Sequence, residues 1–181
     1  MNYRSYAGGM PLGKDYTGQY CSLARALEVV GERWTLLILR DAFFGVRRFG
    51  DFAAHLGVPR AVLSDRLGSL TAAGVLTGAP GRHGHTEYVL TSKGLELWPV
   101  IRTLLDWGDE HYSAAGPRRV FRHGADDAPV TTGGVCTGCG QDVPVTDLVV
   151  APGPGLAETG ATDPVTTALA TPHRMLAPLH A

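Results

Sequence analysis

Long apolar runs, an even set of cysteines and a dominant sign of charge are all missing from this chain of 181 residues, and each absence removes a class of protein. No stretch approaches the roughly 18 consecutive apolar residues that a membrane-crossing helix needs, so no membrane partner is expected. The opening residues, MNYRSYAGGMPLGKDYTG, are polar and glycine-rich with no apolar export region. That predicts a cytoplasmic protein. Three cysteines, an odd number, do not make the disulfide framework of a small secreted domain. Phosphate-cradling glycine loops, nucleophile elbows and HExxH pairs are absent, and the seven histidines are scattered. No enzyme is expected.

The net charge of −1 hides an uneven distribution. Met1 to His123 carries 15 Lys and Arg against 11 Asp and Glu, whereas the remainder holds one Arg against six acids. A basic body with an acidic tail suits a nucleic-acid binder.

What is present is a helical pattern broken by a tight turn. Phe49, Phe52, Ala53 and Leu56 recur on one helix face. Gly57-Val58-Pro59 breaks the chain, because glycine frees the backbone and proline has no N–H to donate. Arg60 to Thr71 resumes the period with Leu63, Leu67 and Leu70 on one side, and Gly74 closes it. Two short helices so joined form a helix-turn-helix, and the second can enter a DNA groove. Val75-Leu76-Thr77 and Glu87-Tyr88-Val89-Leu90 are strand-like and flank the turn-rich Gly78 to His85. That hairpin reads as the wing of a winged-helix domain.

Upstream, Leu23, Leu27 and Val30 share the face of a first helix that Ser22 or Thr17 can cap and Gly31 ends. Trp34 to Phe43 is apolar nearly all round, which predicts a central helix before the Phe44-Gly45 turn. Downstream, Thr91 can cap a helix running to Tyr112, with Leu95, Trp98, Ile101, Leu105 and Trp107 as its apolar surface and Pro99 bending it or marking its first turns. The fold expected is α+β and mainly helical, a winged helix-turn-helix domain with a dimerisation helix and a small C-terminal extension. The boundaries are a flexible arm at 1–17, the DNA-binding and dimerisation domain at 18–113, the extension with a CxxC at 114–150 and a disordered tail at 151–181. Ala, Pro, Gly and Thr dominate that tail.

A helical wheel turns Ala61, Ser64, Asp65 and Gly68 away from the leucine face. Ser64 can donate to a base edge or phosphate, and Asp65 can accept from cytosine N4. Arg60 reaches guanine or backbone, while Ala61 and Gly68 let the duplex approach closely. Arg66 lies beside the core face, where an intramolecular ion pair and a phosphate contact are equally open. Arg47 and Arg48 precede the first helix of the motif, a natural phosphate site. Arg82, His83 and His85 sit at the wing tip, which in winged helices follows the backbone or minor groove. The alternative for this whole face is solvated helix surface.

Cys21 has two readings: a buried structural thiol, or a sensor thiolate whose pKa the helix N-terminus and Arg25 lower. Cys136-Thr-Gly-Cys139-Gly140 has the spacing of half a zinc knuckle, with His123 as a candidate third ligand and a partner chain able to complete the set. Otherwise the pair is two thiols or a local disulfide.

Seven separated blocks resemble the HxlR family of bacterial regulators, a branch of the MarR-like winged-helix proteins. They are Cys21-Ser-Leu-Ala-Arg-Ala-Leu27, Gly31-Glu-Arg-Trp34-Thr-Leu-Leu-Ile-Leu-Arg40, Gly45-Val-Arg-Arg-Phe49, Val62-Leu-Ser-Asp-Arg66-Leu67, Ala73-Gly-Val-Leu76, Glu87-Tyr-Val-Leu-Thr91 and Trp107-Gly-Asp109. The resemblance implies a homodimeric repressor or activator on a palindromic operator, and in some members an oxidant-sensing cysteine at the start of the first helix. Two departures stand out: Ala61 where many relatives carry Asn or Lys, and Gly124-Ala125-Asp126 after His123 where relatives with an extension often carry a further cysteine.

The function expected is a dimeric regulator of transcription that binds double-stranded DNA and responds to an oxidant or a small-molecule effector. Its interface would use Leu23 and Leu27 of the first helix with Trp98, Ile101, Leu105 and Trp107. The recognition helices then lie about 34 Å apart, one duplex turn. The alternative is a winged-helix ligand-binding or protein-interaction module without sequence-specific DNA binding.

Overall fold

The computed structural model describes residue 16 and residues 18–81, 84–158 and 162–179. Four helices come first: α1 (Ser22–Val30), α2 (Thr35–Phe43), α3 (Phe49–Leu56) and α4 (Arg60–Ala72). The hairpin β1 (Leu76–Pro80) and β2 (Thr86–Leu90) follows, then the short α5 (Ser92–Leu95) and the long α6 (Trp98–Tyr112). The extension adds β3 (Arg119–His123), β4 (Leu148–Pro152), α7 (Pro164–Ala168) and β5 (His173–Arg174). The architecture is α+β, as the sequence predicts, and none of the described helices is long and apolar enough to cross a membrane.

Local chemistry sets most boundaries. Gly57 ends α3 in the left-handed conformation, at φ +60°, which costs glycine nothing. The Thr91 hydroxyl accepts the Gly94 N–H at the start of α5 and donates to the Gly74 carbonyl. The one helix expected from Thr91 to Tyr112 divides at Glu96-Leu97, with Pro99 in the first turn of α6, where its missing N–H costs no hydrogen bond. Cys21, and not Ser22, is the N-cap of α1, and Thr17 lies outside the described residues.

α2 is the hub. Ile38, Leu39 and Phe43 are fully buried against Phe52 of α3 and Leu63, Leu67 and Leu70 of α4. From there an aromatic ladder crosses into the extension. Phe43 and Trp98 rings lie 5.1 Å apart, Trp98 and Phe121 5.2 Å apart, and the Arg102 guanidinium sits 4.3 Å above Phe121. The extension therefore continues the same core.

The tail corrects the expectation of disorder. β4 pairs antiparallel with both β3 and β5, with Phe121 opposite Val150 and Val150 opposite His173. Asp163 caps α7 by accepting from the Thr166 N–H, and Val165, Leu169, Met175 and Leu179 are all buried. A composition poor in large apolar residues concealed them, because a chain docking on an existing core needs only a few anchors.

The last described residues clamp the turn between α2 and α3. The Leu176 N–H donates to the Phe43 carbonyl and the Leu179 N–H to that of Gly45, both at 2.9 Å. Gly45 has φ +91°, and a Cβ there would stand 1.9 Å from the Ala177 carbonyl oxygen. Gly45→Ala should therefore cost at least about 1–3 kcal/mol in backbone strain and lift this segment away. Urea denaturation with hydrogen exchange at the Leu176 and Leu179 amides checks it; wild-type protection at both amides would refute the clamp.

Candidate nucleic-acid interface

α4 shows the two faces that its spacing predicts. Leu63, Leu67 and Leu70 are at most 1% exposed, while Ala61, Ser64, Asp65 and Gly68 face solvent. A Cβ built on Gly68 would touch nothing, so the surface there is open. Arg60 extends over the Phe49 ring at 4.8 Å, a contact that restrains its guanidinium beside the groove face.

The arginines divide. Arg66 pairs with Glu32 at 3.6 Å and with Asp65, and its side chain is only 12% exposed. Of its two readings, the intramolecular pair holds, and it engages Asp65 as well. Arg47 donates to the Leu176 carbonyl at 2.9 Å and faces Glu87 at 3.9 Å, so this expected phosphate ligand instead fastens the tail to the wing. Arg48 is the N-cap of α3. It lies near Asp51, whose burial pushes its carboxyl up while Arg48 opposes the shift.

The hairpin is joined to this surface. The Tyr88 N–H donates to the Arg47 carbonyl at 2.8 Å, and Arg48 bridges antiparallel to Glu87. At the tip, the Gly81 N–H donates to the His85 carbonyl, and His85 is exposed; Arg82 and His83 lie outside the described residues.

Asp41 escaped the sequence reading. It is fully buried on α2, accepting from Arg40 Nε at 2.9 Å and Nη2 at 2.7 Å, and from His55 Nδ1 at 2.8 Å. A carboxylate cannot donate, so the imidazole donates here. The bond ties α3 to α2 and so sets the pose of α4. The available signal was an acid beside Arg40 in a helix that is apolar nearly all round. Beside it opens a cleft of about 420 Å³, lined by Arg40, His55, Leu105, Asp109, Arg119 and Asp163 among others. Burial and then Arg40 push the Arg119 guanidinium down, with Asp41 opposing. Partial burial raises the Asp163 carboxyl, but hydrogen bonds from Thr166 outweigh it and leave the group below its ordinary value.

The expected interface anchors fall on two faces. Trp98 and Ile101 are core residues, 9% and 3% exposed, and Leu105 packs against the core. Trp98 and Ile101 are therefore not outward anchors, and Leu105 is half-buried. Leu23 and Trp107 are exposed, at 64% and 54%, and Leu27 is half-buried. Val100 and Leu104 are exposed in line with Trp107, whose ring lies 5.0 Å from that of His111. α6 is apolar on two sides, and the expected anchors took Trp98 and Ile101 from the inner one and Trp107 from the outer.

Cys21 is exposed, which removes the buried reading. The N–H groups of Ala24 and Leu23 lower its thiol, with little opposition from burial. Arg25 instead pairs with Glu28 at 3.0 Å and donates to the Tyr16 carbonyl. In the extension, His123, Asp126, Cys136 and Cys139 bring four ligand atoms within 4.8 Å of one another. Asp126 is the member that sequence reasoning missed.

Comparison with known proteins matches this geometry. The model of the HxlR-like helix-turn-helix family matches residues 29–115. An uncharacterised HTH-type transcriptional regulator of Mycobacterium tuberculosis is 45% identical over 140 residues, covering 74% of this chain and 87% of the relative. Another, from Synechocystis, is 30% identical over 97 residues, covering 52% of this chain and 72% of the relative. The crystal structure of PA1607, named as a transcription factor, superposes with a TM-score of 0.57 at 37% identity, over 69% of this chain and 89% of that one. A winged helix-turn-helix with an open recognition face, matched by these relatives, identifies the chain as a member of the HxlR-like helix-turn-helix family, DNA-binding transcriptional regulators and not enzymes.

Proposed function

We propose that the protein acts in the cytoplasm as a homodimer on a palindromic operator, reading bases with α4 and following the backbone with its wing. The observation that carries this reading is the α4 face itself: Ser64, Ala61 and Gly68 are open, and Arg60 is held beside them on Phe49. Arg48 and the wing tip are the phosphate contacts, so affinity falls with salt.

Fluorescence anisotropy on the DNA upstream of its own gene, against scrambled DNA at fixed salt, tests it. Arg60→Ala and Ser64→Ala should each weaken specific binding by about 1–3 kcal/mol and leave scrambled DNA nearly unaffected. No loss in either variant would favour the ligand-binding or protein-interaction module instead.

The signal is an oxidant acting at Cys21, a reading supported by its exposure and by the N–H groups that lower its thiol. Oxidant should weaken operator binding by the wild type and spare Cys21→Ser. Equal loss in both would shift the effector to the charged cleft beside Asp41.

A further inference from the structure

Cys136 and Cys139 are half a ligand set by sequence, and folding supplies the other half. The Cys139 sulfur lies 3.6 Å from His123 Nδ1, which lies 3.3 Å from Asp126 Oδ1. The Cys136 sulfur lies 3.3 Å from Asp126 Oδ2 and 3.5 Å from Oδ1. Around a tetrahedral zinc, bond lengths of about 2.3 Å to sulfur and about 2.0–2.2 Å to nitrogen and oxygen put neighbouring ligand atoms about 3.3–3.8 Å apart. The contacts from Cys139 to His123, from His123 to Asp126 and from Asp126 to Cys136 have that spacing, and all four ligand atoms lie within 4.8 Å of one another.

The backbone is shaped to the same end. The N–H groups of Gly138 and Cys139 point at the Cys136 sulfur, at 3.4 and 3.5 Å, where they stabilise a thiolate. A Cβ at Gly138 would lie 2.7 Å from the Ala128 Cβ and 3.0 Å from Asp126 Oδ2, so glycine lets the carboxylate reach the sulfurs. Gly140, at φ +72°, turns the chain after the second cysteine.

We infer that His123, Asp126, Cys136 and Cys139 of a single chain form a closed structural zinc site. Two thiolates select a soft or borderline ion over magnesium or calcium, and four protein ligands leave no open position for catalysis. Binding displaces the thiol protons to solvent and involves no electron transfer, so no oxidant or reductant is needed. No partner chain is needed either. The ion would close the segment that runs from β3 through Thr132, and that segment is fastened to α6. Arg102 Nη2 donates to the Val130 carbonyl at 3.3 Å, and the Thr132 hydroxyl donates to Asp106 at 2.5 Å. The ion therefore braces the helix that carries the exposed Val100, Leu104 and Trp107 stripe. The site stands whether or not the regulator reading does.

The test is elemental analysis of the full-length, untagged, reduced protein, followed by exchange of the ion for cobalt. One zinc per chain is expected, with cobalt absorption bands typical of two thiolates in a tetrahedral field. Asp126→Asn, which keeps the side-chain shape, should weaken zinc at least about tenfold, since even outer-shell partners contribute 10–100-fold. Cys139→Ser should abolish the two-thiolate spectrum, and chelation should lower the thermal midpoint of the wild type. Metal-free protein in which all three thiols titrate, with no cobalt bands, would overturn the inference. So would a Cys136–Cys139 disulfide surviving reductant, or a cobalt spectrum and affinity unchanged in Asp126→Asn.

Discussion

Asp41→Ala is expected to destabilise the protein by about 3–5 kcal/mol, because removing one partner from a buried charged set strands the others. Asp41 has no solvent exposure, Arg40 is 24% exposed and His55 15%. Without the carboxylate, a guanidinium next to a fully buried position and an imidazole on α3 lose their shared acceptor. Water reaches Arg40 more readily than His55, so the larger part of the loss should fall on the α2–α3 contact. The functional consequence is a looser pose of α4, whose leucines pack on the same two helices. Urea denaturation measures the first effect, and operator anisotropy under conditions where the variant remains folded measures the second. Asp41→Asn should fall between, since an amide oxygen still accepts while its NH2 group faces donors. A loss below about 1 kcal/mol for the alanine variant would mean that water replaces the carboxylate and the set is not a lock.

Leu104→Asp is expected to convert the proposed dimer to monomer with little change in folding stability. Leu104 is 47% exposed in the single chain, so a carboxylate there remains hydrated in the monomer and is desolvated only on association. Loss of an apolar anchor at the centre of an interface costs at least about 2 kcal/mol, some thirtyfold in affinity, and a symmetric dimer loses it twice. Trp98→Ala supplies the contrast. Its ring is locked between Phe43 and Phe121, so it should cost about 3–5 kcal/mol of folding stability through an unfilled cavity. Sedimentation equilibrium beside thermal melts separates the two. A Leu104→Asp chain that stays dimeric at micromolar concentration would exclude the outer face of α6 as the interface.

These two variants mark where sequence reasoning stopped. The 3.6-residue period identifies α6 as apolar but not which of its two apolar faces turns inward. That choice is made by Phe43 and Phe121, distant in the chain. Arg47 read as a phosphate ligand and Arg66 as either that or an ion pair, because spacing alone does not show a distant partner. Their partners, Leu176 and Glu32, lie 129 and 34 positions away. Composition likewise averaged away Val165, Leu169, Met175 and Leu179, whose burial depends on a core built upstream.

By itself the sequence determined the helix-turn-helix, the wing, the outward face of α4, the Thr91 cap and the family. All of these rest on residues a few positions apart, where backbone geometry and side-chain spacing act directly. Only the tertiary structure decided the docked tail at Gly45, the buried Asp41 lock, the exposed stripe of α6 and the approach of His123 and Asp126 to the two cysteines. Each of those requires segments distant in the chain to meet, and a one-dimensional pattern carries no record of which buried group will find which partner.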